Sequence, residues 1–179
     1  MKKNKKEQPV IFLEGRKVIL SPIEEDDLFT IQKILNDPDV RKNLAERFPR
    51  NRIMLKEIIS LNKEKKGLFL KIVEKENFDT VGLISLSDFN WPNRRAMLAI
   101  AIDKDFQNKG YGTESTKLLV DYGFKNLQLH KISLEVYEFN KNAIKMYKKL
   151  GFKREGVFKK HSFKDGKYVD LIFMSLLNE

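Results

Sequence analysis

The sequence contains no cysteine and only two histidines among its 179 residues. Without cysteine the chain has no disulfide, no thiolate metal ligand and no cysteine nucleophile. His130 and His161 are isolated from each other and do not by themselves form a metal site, and we interpret both as structural rather than catalytic. We therefore expect no metal, and any cofactor is expected to be organic.

Long apolar runs are also missing. No run approaches the roughly 18 residues of a membrane span, and the start, Met-Lys-Lys-Asn-Lys-Lys-Glu, lacks the apolar stretch of a signal peptide. These absences predict a cytoplasmic protein with no membrane partner. The length and the 41% apolar content are those of one globular domain, expected over 15–179 behind a lysine-rich, partly disordered lead-in over 1–14.

Acidic residues are fewer than basic ones, 25 against 35, which gives a net charge of +10. Such an excess favours an anionic partner such as a phosphorylated cofactor, a nucleic acid or an acidic surface. Much of it lies in the lysine-rich start and at Lys63, Lys65 and Lys66, where a solvated charged face is the simpler interpretation. Charge alone therefore does not predict direct recognition of nucleic acid.

Apolar periodicity and turn residues predict a mixed α/β (α+β) fold in the order β-α-α-β-β-β-α-β-α-β-β. We expect Ser21 to cap the first helix, with Pro22 at its first position and Glu24 completing a capping box. Asp165-Gly166 predicts a hairpin turn between the last two strands. Strands are predicted over 17–20, 68–74, 80–87, 95–103, 131–137, 152–163 and 167–177, and helices over 22–36, 50–63, 112–127 and 140–150.

A short glycine loop, Gln107-x-x-Gly110-x-Gly112, lies between a predicted strand and a predicted helix. At a helix start the backbone N–H groups are unpaired and the macrodipole is positive, and glycine lets the backbone approach a ligand. The loop therefore predicts a pyrophosphate site. It is neither a Rossmann loop, because a third glycine is missing, nor a P-loop, because no Gly-Lys-Ser/Thr follows.

Two segments resemble the motifs of the GNAT superfamily of N-acetyltransferases. The run from Ile102 to Gly112 resembles motif A, (Q/R)-x-x-G-x-(G/A), and the run from Asn140 to Phe152 resembles motif B. The resemblance extends from about Gly15 to the C-terminus and is nearest to ribosomal-protein N-terminal acetyltransferases and bacterial spermidine acetyltransferases. It implies a mostly antiparallel sheet and acetyl-CoA as cosubstrate. The implied cofactor-binding residues are Ile100, Ala101, Ile102, Gln107, Asn108, Lys109, Gly110, Tyr111, Gly112, Thr113, Asn140, Ala143 and Tyr147.

The resemblance also implies catalytic roles. Backbone N–H groups near Ile102 would polarise the thioester carbonyl, and Tyr147 matches the tyrosine that protonates the leaving thiolate in many relatives. Helical spacing alone equally allows Tyr147 to be a core aromatic. Relatives often carry a glutamate after an Arg-Ala pair, but here Met97 follows Arg95-Ala96, so that base is absent.

Glu135 is the candidate general base. Alternation places its side chain on the opposite side of its strand from Leu134 and Val136, and it lies twelve residues before Tyr147, as in one ribosomal-protein alanine acetyltransferase group. A solvated or ion-paired glutamate, with a water chain or bulk solvent as the base, is the alternative.

The function predicted from these residues is direct transfer of acetyl to a primary amine, with a protein N-terminus as the preferred acceptor. A polyamine is the alternative acceptor, for which Glu24, Glu25, Asp26 and Asp27 are candidate ligands; a non-catalytic acyl-CoA-binding module is the alternative of another class. Trp91 and Phe89 are either substrate contacts or a hydrophobic plug. The partners expected besides the amine are the ribosome and a second copy in a homodimer.

Overall fold

The structure is a computed structural model that describes residues 8–178. Its eight strands in this range are β1 (Leu13–Glu14), β2 (Val18–Pro22), β3 (Leu68–Glu74), β4 (Thr80–Asn90), β5 (Arg95–Ile102), β6 (Lys131–Tyr137), β7 (Lys153–Lys164) and β8 (Lys167–Leu177). They form one sheet in the spatial order β1-β2-β3-β4-β5-β6-β8-β7, and only the β5·β6 pair is parallel. The predicted mixed, mostly antiparallel sheet is confirmed, with the short β1 as an addition.

Five α-helices lie within the same residues: α1 (Leu28–Asn36), α2 (Pro38–Arg41), α3 (Arg52–Lys63), α4 (Tyr111–Lys125) and α5 (Lys141–Lys149). Four of them were predicted. The fifth, α2, is a single turn that forms because the Asp37 carboxylate accepts from the N–H groups of Asp39 and Val40. Among the described residues, no helix is long and apolar enough to cross a membrane.

The prediction that Ser21 caps the first helix is wrong. Ser21 and Pro22 continue β2, pairing with Lys71 and Leu70 of β3. A 3-10 turn over Glu25–Asp27 precedes α1, and there the Asp27 carboxylate accepts from the Glu24 N–H at 2.8 Å. Pairing with a distant strand therefore overrides the local capping pattern at Ser21, which is buried in the sheet.

Helices cover the two faces of the sheet unequally. On the face that carries Leu98 and Leu134, helices α4 and α5 pack over the larger core, and we call it the α4 face. On the face that carries Leu83 and Ala101, α1 and α3 pack over a second core, and we call it the α1 face. The β6, β7 and β8 part of the α1 face has no helix among those of the described chain.

Strands β5 and β6 separate after a short pairing. Their ladder joins only residues 95–97 to residues 131–133. Beyond it, residues 98–102 keep their hydrogen bonds to β4 and residues 134–137 keep theirs to β8, so an opening is left in the middle of the sheet. This opening places backbone edges, rather than side chains alone, at a potential binding cleft.

The hairpin between β7 and β8 turns at Asp165 and Gly166, as predicted. Both residues have positive φ, 46° and 78°, which is the geometry of the two-residue type I′ turn favoured by the twist of antiparallel strands.

Candidate active site

A cleft of about 920 Å³ fills the opening between β5 and β6. This volume is typical of a site for a sizeable small molecule. Of the residues that the sequence singled out, those lining the cleft are Ile100, Ala101, Ile102, Gln107, Asn108, Gly110, Tyr111, Gly112, Thr113, Glu135, Asn140, Ala143 and Tyr147.

The glycine loop forms one end of the cleft and leads directly into α4. Gly110 is the N-cap residue with φ +88°, and no side chain caps the helix. Asn108 also has positive φ, and the Gln107 amide donates to the Ile102 carbonyl at 3.1 Å, which ties the loop to the end of β5. The first N–H groups of α4 therefore have no carbonyl to donate to within the helix and lie at the cleft. This arrangement suits a bound phosphate.

Lys17, the residue before β2, holds this loop in place. Its ammonium donates to the Lys109 carbonyl at 3.0 Å, and the Glu114 carboxylate of α4 accepts from the Lys17 N–H at 3.1 Å. The Lys109 ammonium itself lies 4.7 Å from the centre of the Phe106 ring rather than on the cleft wall. The positive side chains that do line the cleft are those of Lys42, Lys141 and Lys145, which sequence reasoning missed.

Backbone donors at the end of β5 point into the cleft. The Asp103 N–H donates to the Val81 carbonyl of β4 at 2.8 Å. Because successive N–H groups of a strand alternate in direction, those of Ile102 and Ile100 point away from β4 and into the opening. The strand thus presents two N–H groups to the opening, and backbone N–H groups are the donors that oxyanion sites commonly use.

Helix α5 brings Tyr147 to the cleft. The Asn140 side chain caps α5 by accepting from the Ala143 N–H at 3.2 Å. Tyr147 belongs to the larger core, and burial raises the pKa of its hydroxyl above the usual value. No group within residues 8–178 forms a hydrogen bond with that hydroxyl. Tyr147 is therefore a core aromatic and a cleft residue at once, with a neutral phenol.

Two carboxylates line the cleft away from the glycine loop. Glu135 is exposed on β6, on the α1 face, as its alternation predicts. Asp88 lies at an irregularity of β4, with φ 50°, and accepts from the Ser87 hydroxyl at 3.2 Å. Neither carboxylate forms an ion pair with another described residue. Sequence reasoning missed Asp88, for which the only signal was a polar residue near the end of a strand.

The segment between α2 and α3 forms another wall of the cleft. Lys42, Asn43, Leu44 and Ala45 line it, and Met97 does so from β5. The β7–β8 hairpin holds this segment in place, because the Lys164 ammonium donates to the Leu44 carbonyl at 2.6 Å. No local sequence pattern identified this wall.

Other candidate residues lie elsewhere. Asp27 is paired with Lys71 at 2.7 Å and Glu25 with Lys56 at 3.2 Å, so the acidic cluster of residues 24–27 does not reach the cleft. Trp91 and Phe89 stack on each other, with ring centres 4.7 Å apart, outside the cleft. The same is true of His130 and His161, neither of which lines it.

Comparison with known proteins points to one family. The family model of the acetyltransferase (GNAT) domain matches residues 17–153. Spermidine N(1)-acetyltransferase of Escherichia coli K12 is 32% identical over 159 residues, which cover 89% of this chain and 85% of that protein.

Solved structures agree with this match. The Vibrio cholerae spermidine N-acetyltransferase in complex with CoA and spermine superposes with a TM-score of 0.84 at 26% identity, over 91% of this chain and 96% of that one. A ribosomal-protein-S5-alanine acetyltransferase from Vibrio fischeri shares the fold, with a TM-score of 0.81 at 22% identity, over 93% and 96%.

Proposed function

Because the chain belongs to the GNAT acetyltransferase family, and is an acetyl-CoA-dependent N-acetyltransferase, we propose that its acceptor is a terminal amine of a small polyamine. The observation that carries the proposal is the pair of cleft carboxylates, Glu135 and Asp88. Neither has a basic partner in the described chain, although basic residues outnumber acidic ones by 35 to 25. Two unpaired acids at one cleft suit a ligand with several ammonium groups.

The net charge of +10 opposes attraction of a polycation from a distance. At physiological ionic strength, however, charges more than about 8 Å apart are largely screened. Screening therefore removes most of the repulsion by lysines outside the cleft. Of the lysines that line the cleft, Lys141 and Lys145 are assigned to the pyrophosphate in the mechanism proposed below, and Lys42 lies on the wall between α2 and α3. Asp88 and Glu135 remain the anionic groups of the cleft that can attract the acceptor.

A protein N-terminal amine, the acceptor preferred from the sequence, is the second candidate. Its support is the glutamate at position 135, twelve residues before Tyr147. The relatives support the polyamine better, because the ribosomal-protein enzyme shares only the fold with this chain. Family membership sets aside the non-catalytic module, while association with the ribosome and a homodimer stay predictions.

In the mechanism that we propose, acetyl-CoA supplies the thioester. The first turn of α4 holds the pyrophosphate of its CoA moiety, with Lys141 and Lys145 nearby. The N–H groups of Ile102 and Ile100 stabilise negative charge on the carbonyl oxygen. Glu135 accepts a proton from the acceptor ammonium, so that the neutral amine can attack the thioester carbon and form the C–N bond. The C–S bond then breaks, and Tyr147, kept neutral by burial, donates a proton to the departing thiolate. The remaining surplus proton of the nitrogen returns to Tyr147 and restores its phenol.

The test is release of CoA from acetyl-CoA in the presence of spermidine, compared with peptides that have a free N-terminal alanine. Asp88→Asn should raise the KM for spermidine about tenfold and leave the KM for acetyl-CoA unchanged. Glu135→Gln should also lower kcat, because it removes the proton acceptor. Glu57→Gln, an exposed acid on α3 without an ion pair in the described chain, is the matched control.

Turnover of the peptides without turnover of spermidine would replace the polyamine by a protein N-terminus. Equal KM values for spermidine in Asp88→Asn and Glu57→Gln would remove Asp88 from the acceptor site.

A further inference from the structure

A partly exposed aromatic surface adjoins Glu135 on the α1 face. Glu135 of β6 lies directly opposite Phe173 of β8, and Phe173 lies opposite Gly156 of β7. Because side chains alternate along a strand, Phe158, two residues after Gly156, is on this same face. We call Phe158 and Phe173 the aromatic shelf.

The shelf is only partly covered by the rest of the protein. Its two rings meet edge to face, with centres 6.4 Å apart and planes at 87°. Phe158 is 47% exposed, just before an irregularity of β7, and Phe173 is partly buried; the described helices do not cover this part of the sheet. A large apolar ring that stays exposed next to a second ring, one strand away from a cleft carboxylate, is a candidate for a binding role.

The carboxylate of Glu135 and the rings of the shelf together favour a cation. Two lysines on the strands near the shelf are engaged by acids, Lys131 with Glu155 at 2.7 Å and Lys159 with Asp170 at 2.6 Å, whereas Lys153, opposite Ser175, forms no ion pair within the described chain. Glu135 likewise has no basic partner among residues 8–178. Its negative charge, one strand away from Phe173, attracts an ammonium group, and such a group is also attracted to the face of an aromatic ring.

We propose that the aromatic shelf binds the distal ammonium group of the acceptor while the reacting amine lies at Glu135 and Tyr147. This inference rests on the proposed polyamine function. Directly opposed residues have Cβ atoms about 5 Å apart, so the shelf extends roughly 10 Å outward from Glu135. A triamine such as spermidine spans about 11 Å between its terminal nitrogens, at about 1.2 Å per bond of an extended chain. Phe158 and Phe173 are thus specificity-determining residues for acceptor length.

The experiment compares acceptors of different length. Steady-state kinetics are measured with spermidine, which has amino groups at both ends, and with butylamine, which has one. Phe158→Leu should lower kcat/KM for spermidine about tenfold, leave butylamine within about twofold and leave the KM for acetyl-CoA unchanged. Phe158→Tyr, which keeps a ring face, should retain spermidine turnover.

Phe163→Leu is the matched control. Phe163 is 45% exposed on the same hairpin. It pairs with Tyr168, whereas Val169 and Leu171, which alternate with Tyr168 along β8, are on the same face as Phe173. Its side chain therefore projects from the opposite face, and its substitution should change neither acceptor.

Three outcomes separate the two proposals. A wild-type enzyme that acetylates butylamine or peptides but not spermidine overturns the polyamine function and the shelf with it. Normal spermidine turnover in wild-type and Phe158→Leu alike overturns the shelf and leaves the function standing. An equal loss for spermidine and butylamine in Phe158→Leu also overturns the shelf, because it marks a structural effect without length selectivity.

Discussion

The ring of Tyr147 packs against the ring of Phe152, with centres 5.6 Å apart and planes inclined at 60°. This contact fixes the end of α5 to the start of β7 and leaves Tyr147 only 6% exposed. The same tyrosine lines the cleft, so its packing holds the hydroxyl in place without a hydrogen bond from the described chain.

Tyr147→Phe should therefore separate chemistry from binding. We expect kcat to fall about 100-fold, the typical contribution of a general acid, while the Kd for acetyl-CoA stays within about twofold. The free energy of unfolding should hardly change at neutral pH, because no hydrogen bond is lost and the ring remains. Stopped-flow kinetics and calorimetric binding measure the two effects. Tyr168→Phe, at an exposed tyrosine of β8, is the control, and an unchanged kcat in Tyr147→Phe would remove Tyr147 from the mechanism.

Stability at alkaline pH should depend on the same residue. Burial raises the pKa of Tyr147, so above about pH 10 the unfolded tyrosine ionises while the folded one stays neutral. The unfolded state then binds fewer protons, and the free energy of unfolding falls by up to about 1.4 kcal/mol per pH unit. Tyr147→Phe lacks this loss, so its urea denaturation midpoint should exceed that of the wild type increasingly between pH 10 and 11. A difference in midpoint between Tyr147→Phe and the wild type that stays constant over this pH range would contradict the prediction.

Gly110 tests the cofactor loop. Its φ of +88° is strained for any other residue, and a Cβ there would stand 3.5 Å from the Lys17 ammonium. Gly110→Ala should lower stability by about 1 kcal/mol, and Gly110→Asp should in addition weaken acetyl-CoA binding strongly through repulsion of the pyrophosphate. Gly166→Ala has a similar φ of +78° in an open turn, so it controls for strain alone. Unchanged acetyl-CoA affinity in Gly110→Asp would refute the loop assignment.

The ion pair between Asp27 and Lys71 joins the start of α1 to β3. Its atoms are 2.7 Å apart, and the two side chains are 14% and 15% exposed. Asp27→Ala should cost about 3 kcal/mol of unfolding free energy, because it leaves the Lys71 ammonium buried without a counter-charge. The double variant Asp27→Ala/Lys71→Met should be more stable than Asp27→Ala. Urea denaturation measures the free energy of unfolding of the two single variants and of the double variant. If the loss in the double variant equals the sum of large losses in Asp27→Ala and Lys71→Met, the two side chains do not act as a pair.

Short-range patterns in the sequence were sufficient for much of the fold. The Asp165-Gly166 turn, the start of α5 next to Asn140 and the end of α1 at Asn36 each depend on contacts within a few residues. The order of strands and helices follows from periodicity in the same way, and it is confirmed apart from the short β1 and α2. The glycines of residues 107–112 and their place before a helix predicted a pyrophosphate site, while the identity of the cosubstrate and the individual site residues came from the resemblance to the family's motifs.

The tertiary structure decided what depends on distant residues. Pairing with β3 kept Ser21 in a strand despite a capping pattern, and the early end of the β5·β6 ladder opened the cleft. Only the fold showed that Asp88 and Glu135 share that cleft, while Asp27 is paired with Lys71. The sequence thus determined most of the elements, because helix hydrogen bonds, caps and turns are local and the apolar period of a strand is visible along the strand itself. Their pairing determined which acids stay free, since that depends on which side chains the folded sheet brings together.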